Sequence, residues 1–406
     1  MILSQASVKS ARRPGARNAI RKPRPRALRI LWITNSFFPK LGGLEIFVEK
    51  TVGSLSEFCD VGIITKSHQW FPADKNVAHF TIANPCDEDP DAAWQHIVAD
   101  LLRIISEFAP DVVHFASARS AIYRAAIPAS IRTVATVHGN DLTDAPPGDP
   151  GERDLAAVTV ESLNTCDQVF AVSEHTASLC RQWGVTAPLA VLIPGCDLDF
   201  FMPWPELGEE ARAFYQIPAN MPLVLTTSRL VPRKGHLNVL RAIRQVPFLI
   251  HWIVVGDGPC KKDLMAAAID MQLSEQVSFL GKVSDDDLLA LYNACNIFVL
   301  TPEQRFSNGR LDSEGFGLVL HEAGACARPA ITSNICGCRE AIIDGGTGIL
   351  VPPDDADALA EALSFLIANP PVAESLGRNA LEFVRACGGW SRLARQLVDE
   401  YRGMLR

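Results

Sequence analysis

Glu314 and Glu322 stand with seven residues between them in the run Asp312-Ser313-Glu314-Gly315-Phe316-Gly317-Leu318-Val319-Leu320-His321-Glu322-Ala323. The Gly315-Phe316-Gly317 turn opens a helix, and a helix start offers backbone N–H groups to an anion. Glu322, two turns into that helix, is placed to accept hydrogen bonds from ribose hydroxyls, while Glu314 faces a sugar. A capping acid plus a surface acid is the plainer reading, but it leaves the placement of the glycines without a reason. A second run, Ser228-Arg229-Leu230-Val231-Pro232-Arg233-Lys234-Gly235, directly follows an apolar strand. Arg229 and Lys234 there suit a diphosphate, since the guanidinium fork grips oxygens and the ammonium supplies a point charge, or they are solvated surface charges. In a third run, Phe38-Pro39-Lys40-Leu41-Gly42-Gly43-Leu44-Glu45, Gly42 and Gly43 precede a helix. They let the backbone approach an anion closely, or they form a tight turn. The pattern is not GxGxxG, so the dinucleotide fingerprint is absent. His138, at the end of Arg132–Val137, can serve as acid, base or orienting donor, or as a structural histidine. Val254-Val255-Gly256-Asp257-Gly258-Pro259 shapes a cleft floor without side-chain chemistry.

These residues need a scaffold that delivers them to one place. Short apolar runs alternate with helix-length segments along the chain. Leu28–Thr34, Val61–Thr65, Asp111–Phe115, Arg132–Val137, Gln168–Val172 and Ala190–Ile193 read as one series of strands. Leu223–Ser228, His251–Val255, Val277–Leu280, Ile297–Leu300, Pro329–Thr332 and Gly348–Val351 read as a second. Proline-rich Phe200–Pro222 lies between them and reads as an interdomain connection. Strands alternating with helices imply parallel sheets covered on both faces. The expected class is therefore α/β, with two Rossmann-like doubly wound domains facing each other. Ligands then belong in the cleft at the carboxyl ends of the strands.

A length of 406 residues suits two or three domains at roughly 150 residues each. With 48% apolar and 21% charged residues the chain has a folding composition, not a disordered one. No run of about 18 uninterrupted apolar residues occurs, so no transmembrane helix is expected. The net charge of −8 argues against a general nucleic-acid binder. Nine of the 38 Lys and Arg nevertheless lie in the first 29 residues, which hold no acid, so the remainder carries 29 bases against 46 acids. Residues 1–28 read as a disordered basic tail, either an electrostatic tether to an anionic membrane or a dispensable extension. The eleven cysteines form no CxxC pair and read as reduced thiols used as small apolar residues. Asp285-Asp286-Asp287 reads as a helix start and not as a metal site.

Taken jointly, Gly42-Gly43, His138, the Ser-Arg-Leu-x-x-x-Lys-Gly stretch and the Glu314/Glu322 spacing resemble the retaining glycosyltransferases of the GT-B fold, family four. The likeness runs from about Leu28 to the end and includes Val351–Leu359 and the closing Trp390–Leu405 helix. It implies residues 29–204 as an acceptor-binding domain and 205–388 as a nucleotide-sugar-binding domain. Residues 389–406 would be a helix crossing back to the first domain. It implies that Arg229 and Lys234 neutralise the diphosphate leaving group, that Glu322 binds the donor ribose, and that Glu314 and His138 contact the transferred sugar. Gly42 and Gly43 would sit near the phosphates and acceptor, the Leu318 and Val319 amides would bind phosphate, and Val283 would meet the nucleobase. No metal or other cofactor is implied, because fixed cations and helix N-termini can stabilise the leaving group. Asp141 is an auxiliary candidate. No carboxylate is assigned as a nucleophile under the sugar, which leaves a front-face route as the implied mechanism.

The Arg305–Gly317 stretch resembles the phosphatidylinositol-mannoside mannosyltransferase branch, which favours a GDP-sugar over a UDP-sugar and a mannose-like hexose. Tail and cleft together suggest a lipid-linked or polysaccharide acceptor in cell-envelope glycan synthesis. The expected location is cytoplasmic, peripheral at the inner membrane face. Two rivals stay open, a nucleotide-sugar epimerase of the same fold and an inactive nucleotide-binding scaffold.

Overall fold

Strand β1 (Arg29–Ile33) shows why the apolar runs become buried strands. Ile30, Leu31, Trp32 and Ile33 are all fully buried. Alternate residues point to opposite faces. Accordingly Ile30 and Trp32 join one apolar cluster and Leu31 and Ile33 another. A strand buried on both faces needs a continuous apolar run, and burying each such side chain contributes roughly 1.5–3 kcal/mol. The computed structural model describes residues 27–37, 42–66, 76–82, 90–143, 150–307 and 310–406. Most of the basic tail and residues 38–41 therefore lie outside the described residues.

β1 is followed by β2 (Asp60–Lys66), β3 (Val77–Ile82), β4 (Val112–Phe115), β5 (Arg132–Val137), β6 (Gln168–Ala171) and β7 (Leu189–Val191). They form one parallel sheet in the order β3-β2-β1-β4-β5-β6-β7. The second sheet contains β8 (Leu223–Thr227), β9 (His251–Val255), β10 (Val277–Gly281) and β11 (Ile297–Leu300). A hairpin, β12 (Arg305–Ser307) and β13 (Arg310–Asp312), follows, and then β14 (Ala330–Ser333) and β15 (Gly348–Val351) complete the sheet. Its order, β10-β9-β8-β11-β14-β15, is again all parallel, while β12 and β13 pair antiparallel. Strand order reverses between β1 and β4 in the first sheet and between β8 and β11 in the second. Crevices at such switch points hold ligands in this architecture. The expected pair of doubly wound parallel sheets is present.

Three elements differ from the sequence reading. β3 was not expected. It is an edge strand in which only Ile82 is fully covered, so its VAHFTI sequence carries no apolar run. The β12–β13 hairpin was not expected either, because three-residue strands are too short for a period to show. Within the proline-rich connection, Pro205–Phe214 is a helix with proline in its first turn, packed on Asp285–Ala294. Proline at that position loses no helical hydrogen bond. The acid run does open a helix, with Ser284 Oγ accepting from the Asp287 N–H at 3.1 Å.

The last helix, Trp390–Met404, packs on the Gly43–Leu55 helix of the first sheet. Its Tyr401 hydroxyl meets Nδ1 of buried His114 at 2.6 Å, and His114 Nε2 lies 2.8 Å from Thr136 Oγ1. Burial holds this imidazole far below its usual pKa, hence neutral. The ten cysteines among the described residues are all free, and most are buried. Among the described residues, no helix is long and apolar enough to cross a membrane.

Candidate active site

The loop after β8 turns through a short Pro232–Lys234 helix and reaches Gly235 at φ 69°, a left-handed conformation that glycine tolerates. That turn drives Lys234 inward, where it is buried. Its Nζ lies 2.5 Å from Glu314 Oε2, and Arg233 Nη1 reaches the same oxygen at 3.0 Å. Arg233 Nε also binds Asp312 Oδ1 at 2.7 Å. A buried carboxylate is costly unless it is paired. Burial alone would raise the Glu314 pKa, but the Lys234 and Arg233 charges and hydrogen bonds outweigh it, and the carboxyl stays below its usual range. Glu314 is thus an anion held between two cations. Arg229, on the same loop, is exposed and forms no ion pair among the described residues.

Gly317, at φ 87°, turns the chain into the Leu318–Ala325 helix. No side chain caps that helix, so the Leu318 and Val319 amides in its first turn keep the orphan N–H groups that suit an anion. Phe316 is buried beneath them, edge-on to His321 with ring centroids 4.8 Å apart. Across the cleft, a Cβ placed on Gly43 would sit 3.9 Å from Leu318 Cδ1. The Gly42-Gly43 start of the first-domain helix therefore lies beside the same turn.

Glu322, one helical turn further on, accepts a hydrogen bond of 2.7 Å from the Tyr292 hydroxyl, which also meets Thr227 Oγ1 at 2.8 Å. Burial pushes the Glu322 carboxyl up to about 7; Tyr292 and Lys50 pull it down, while Asp285 and Asp197 push it up. Half-buried Val283, just after β10, packs against the apolar cluster that includes Leu320 and Ala323 of the Glu322 helix. Glu314 and Glu322 therefore sit in opposite electrostatic settings, one locked as an anion and one poised to titrate near neutrality.

His138 directly follows β5 and is part-buried. Its Nε2 lies 3.0 Å from the Ala116 carbonyl, so that nitrogen carries the hydrogen and donates. Burial lowers its pKa against the opposing pull of Asp141, the Ala116 carbonyl and Glu45, leaving a neutral ring at pH 7. Asp141 accepts from the His138 N–H at 2.8 Å and the Ala118 N–H at 2.7 Å. It thereby works as a loop brace. A Cβ on Gly315 would collide with the His138 carbonyl, so the two domains meet backbone to backbone beside Glu314. Ser173 Oγ donates to Gly315 O at 2.7 Å, and the Glu340 carboxylate accepts from the Glu174 and His175 N–H groups at 2.7 and 2.8 Å.

The structure brings Lys234, Glu314, Gly315, Phe316, Gly317, Leu318, Val319, Gly43 and His138 around one junction, with Glu322 and Val283 further along the cleft. Sequence reasoning gave no role to Arg233, Tyr292, Asn140, Ser173 or Glu340. Arg233 is adjacent to Lys234 in the Ser228–Gly235 run, and that adjacency is its local signal. The others act from separate elements and leave no local pattern. Among the described residues, no group of three or more His, Cys, Asp or Glu side chains is arranged to hold a metal ion.

Known proteins resemble both halves of the chain. Residues 41–200 match the family described as Glycosyltransferase Family 4, and residues 208–383 match Glycosyl transferases group 1. A GDP-mannose-dependent alpha-(1-6)-phosphatidylinositol monomannoside mannosyltransferase of Mycobacterium tuberculosis is 28% identical over 92% of this chain and 98% of its own. The Corynebacterium glutamicum enzyme named for the monoacylated form of that acceptor is 26% identical over 91% and 96%. Among solved structures, a sucrose-phosphate synthase from Thermosynechococcus elongatus superposes with a TM-score of 0.78 at 23% identity, covering 93% of this chain and 99% of that one. Anabaena HepE, solved with UDP and glucose, superposes at 0.77 with 21% identity over 93% and 100%. These likenesses identify the GT-B fold. With both halves of the chain matched in tandem and the cleft residues gathered where the two sheets face each other, the chain belongs to the family-four, group-1 glycosyltransferases.

Proposed function

We propose that this transferase moves mannose from GDP-mannose to a phosphatidylinositol-mannoside type of glycolipid acceptor, with retention of configuration and without a bound metal. The observation that carries this reading is the end-to-end match to mannosyltransferases named for that donor and acceptor. The cleft chemistry supports it. Breaking a sugar–diphosphate bond builds negative charge on the phosphates and positive charge at the sugar carbon. Arg229, Lys234 and the Leu318 and Val319 amides would meet the first, and fixed donors of that kind lower such barriers without reorganising. Anionic Glu314 would face the transferred sugar, with His138 as a neutral hydrogen-bonding partner. Glu322 would take the ribose hydroxyls and Val283 the base. Gly42 and Gly43 would line the acceptor side. A front-face route, in which the leaving phosphate helps deprotonate the acceptor hydroxyl, asks for no protein nucleophile.

A lipid acceptor requires the protein to reach a membrane, and the nine basic residues at its start would supply an electrostatic contact with an anionic cytoplasmic face. No observation favours the epimerase or the inactive scaffold. The test is calorimetric binding of GDP-mannose and UDP-glucose to the full chain without added metal. Selective binding of the GDP-sugar is expected, and equal or absent binding of both would reject the donor assignment.

A further inference from the structure

We propose that Asn140 is a positioning residue for Glu314, acting across the domain cleft through Asp312, Ser313 and Arg233. The catalytic consequence rests on the transferase reading above.

Asn140 uses both ends of its carboxamide. Its Nδ2 donates to Asp312 Oδ1 at 2.6 Å, and its Oδ1 accepts from the Ser313 N–H at 2.9 Å. The amide orientation is fixed by this pairing, since a carboxylate needs a donor and a backbone N–H needs an acceptor. Asp312 Oδ1 also binds Arg233 Nε, whose Nη1 binds Glu314. One first-domain side chain is therefore tied both to the backbone one residue before Glu314 and to the cation that grips its carboxylate.

The support behind Asn140 is rigid. Asp141, the next residue, is pinned to the His138 and Ala118 amides. On the far side, Leu311 of β13 is buried within the apolar cluster of the first domain, although it belongs to the second. The β12–β13 hairpin is thus docked on the first domain by an apolar plug and a two-point polar clasp. Neither sheet needs this contact to form, because it joins a loop of one to an insertion of the other. Its product is the relative placement of His138 and Glu314. Misplacing reacting groups by about 1 Å can cost about 100-fold in rate.

Aspartate at position 140 would keep the acceptor for Ser313 but lose the donor and set two carboxylates against each other. Exchanging the partners, with Asn140→Asp and Asp312→Asn together, restores one donor and one acceptor. The experiment measures Asn140→Ala, Asn140→Asp, Asp312→Asn and the exchanged double variant in the full chain. Steady-state transfer uses GDP-mannose and a phosphatidylinositol-mannoside acceptor, and amide hydrogen exchange follows residues 313–317. We expect kcat to fall about 10- to 100-fold in Asn140→Ala, with KM for GDP-mannose within about threefold because the Glu322 and Arg229 ends of the cleft are untouched. The exchanged pair should regain about tenfold over Asn140→Asp. Protection of the 313–317 amides should drop in Asn140→Ala and return in the exchanged pair. Unchanged kcat, or strictly additive losses with no recovery, would overturn the proposal. A wild-type protein that transfers no sugar would instead reject the transferase reading. The exchange data would still decide the proposal in that case, since unaltered protection in Asn140→Ala overturns the hold on Glu314.

Discussion

With Glu322 taking the ribose hydroxyls as proposed, the donor site would have a pH response that can be calculated. Its carboxyl titrates at about 7, mainly because burial penalises the charged form. A ribose diol donates hydrogen bonds, so the ionised carboxylate is the form that binds it well. At pH 8 about ten-elevenths of the groups are ionised, and at pH 6 about one-eleventh. The Kd for GDP-mannose should therefore be about tenfold weaker at pH 6 than at pH 8, or about 1.4 kcal/mol. The sugar nucleotide is the right probe because its esterified diphosphate lacks the second ionisation of a terminal phosphate. Titration calorimetry from pH 6 to 8.5 reads the effect directly. Glu322→Gln removes the titrating group and should flatten the profile, while Glu49, whose pKa burial also raises, stays in place as an internal control.

The same proton appears in folding. The folded group holds it more tightly than the unfolded one, so this stability is full below about pH 4.5 and is lost as the pH rises through about 7. The loss is on the order of 3 kcal/mol. A wild-type Kd constant within twofold over this range, or the same slope in Glu322→Gln, would refute the assignment of Glu322 to the ribose.

Three further outcomes are expected. Tyr292→Phe removes the hydroxyl shared by Glu322 and Thr227; chemical denaturation should show a loss of about 1–2 kcal/mol, and the midpoint of the binding profile should move to higher pH. Lys234→Ala should lower kcat about 100- to 1,000-fold in a transfer assay, more than it lowers the unfolding temperature, because Arg233 still pairs Glu314. Deleting residues 1–26 should abolish salt-sensitive binding to vesicles containing phosphatidylserine, measured by flotation, while leaving GDP-mannose affinity unchanged.

The fold was legible where strands are buried on both faces. Ile30–Ile33 of β1 and Leu223–Leu225 of β8 are continuous apolar runs because water reaches neither side, and such runs mark themselves. β3 is half exposed, and the three-residue strands of the hairpin carry no period, so neither showed. The site was legible where one local segment carries several roles, as the Glu314–Glu322 stretch does. It was illegible where partners come from distant elements. Nothing near Tyr292 in sequence points to Glu322, thirty residues away, and nothing near Asn140 points to Asp312. Arg233 is illegible for a different reason. Two neighbouring cations were in view, and only the short helical turn at Pro232–Lys234 shows that both reach the same carboxylate.

Sugar transfer itself can be measured on the purified protein. The purified full chain would be incubated with GDP-mannose and a phosphatidylinositol-mannoside acceptor in mixed micelles, with a chelator present. The glycolipid would then be followed by mass spectrometry and its new anomeric signal by NMR. One added mannose per GDP released is expected, in the α configuration of the donor. Release of GDP without a change in the lipid, or chemical change confined to the nucleotide sugar, would contradict it.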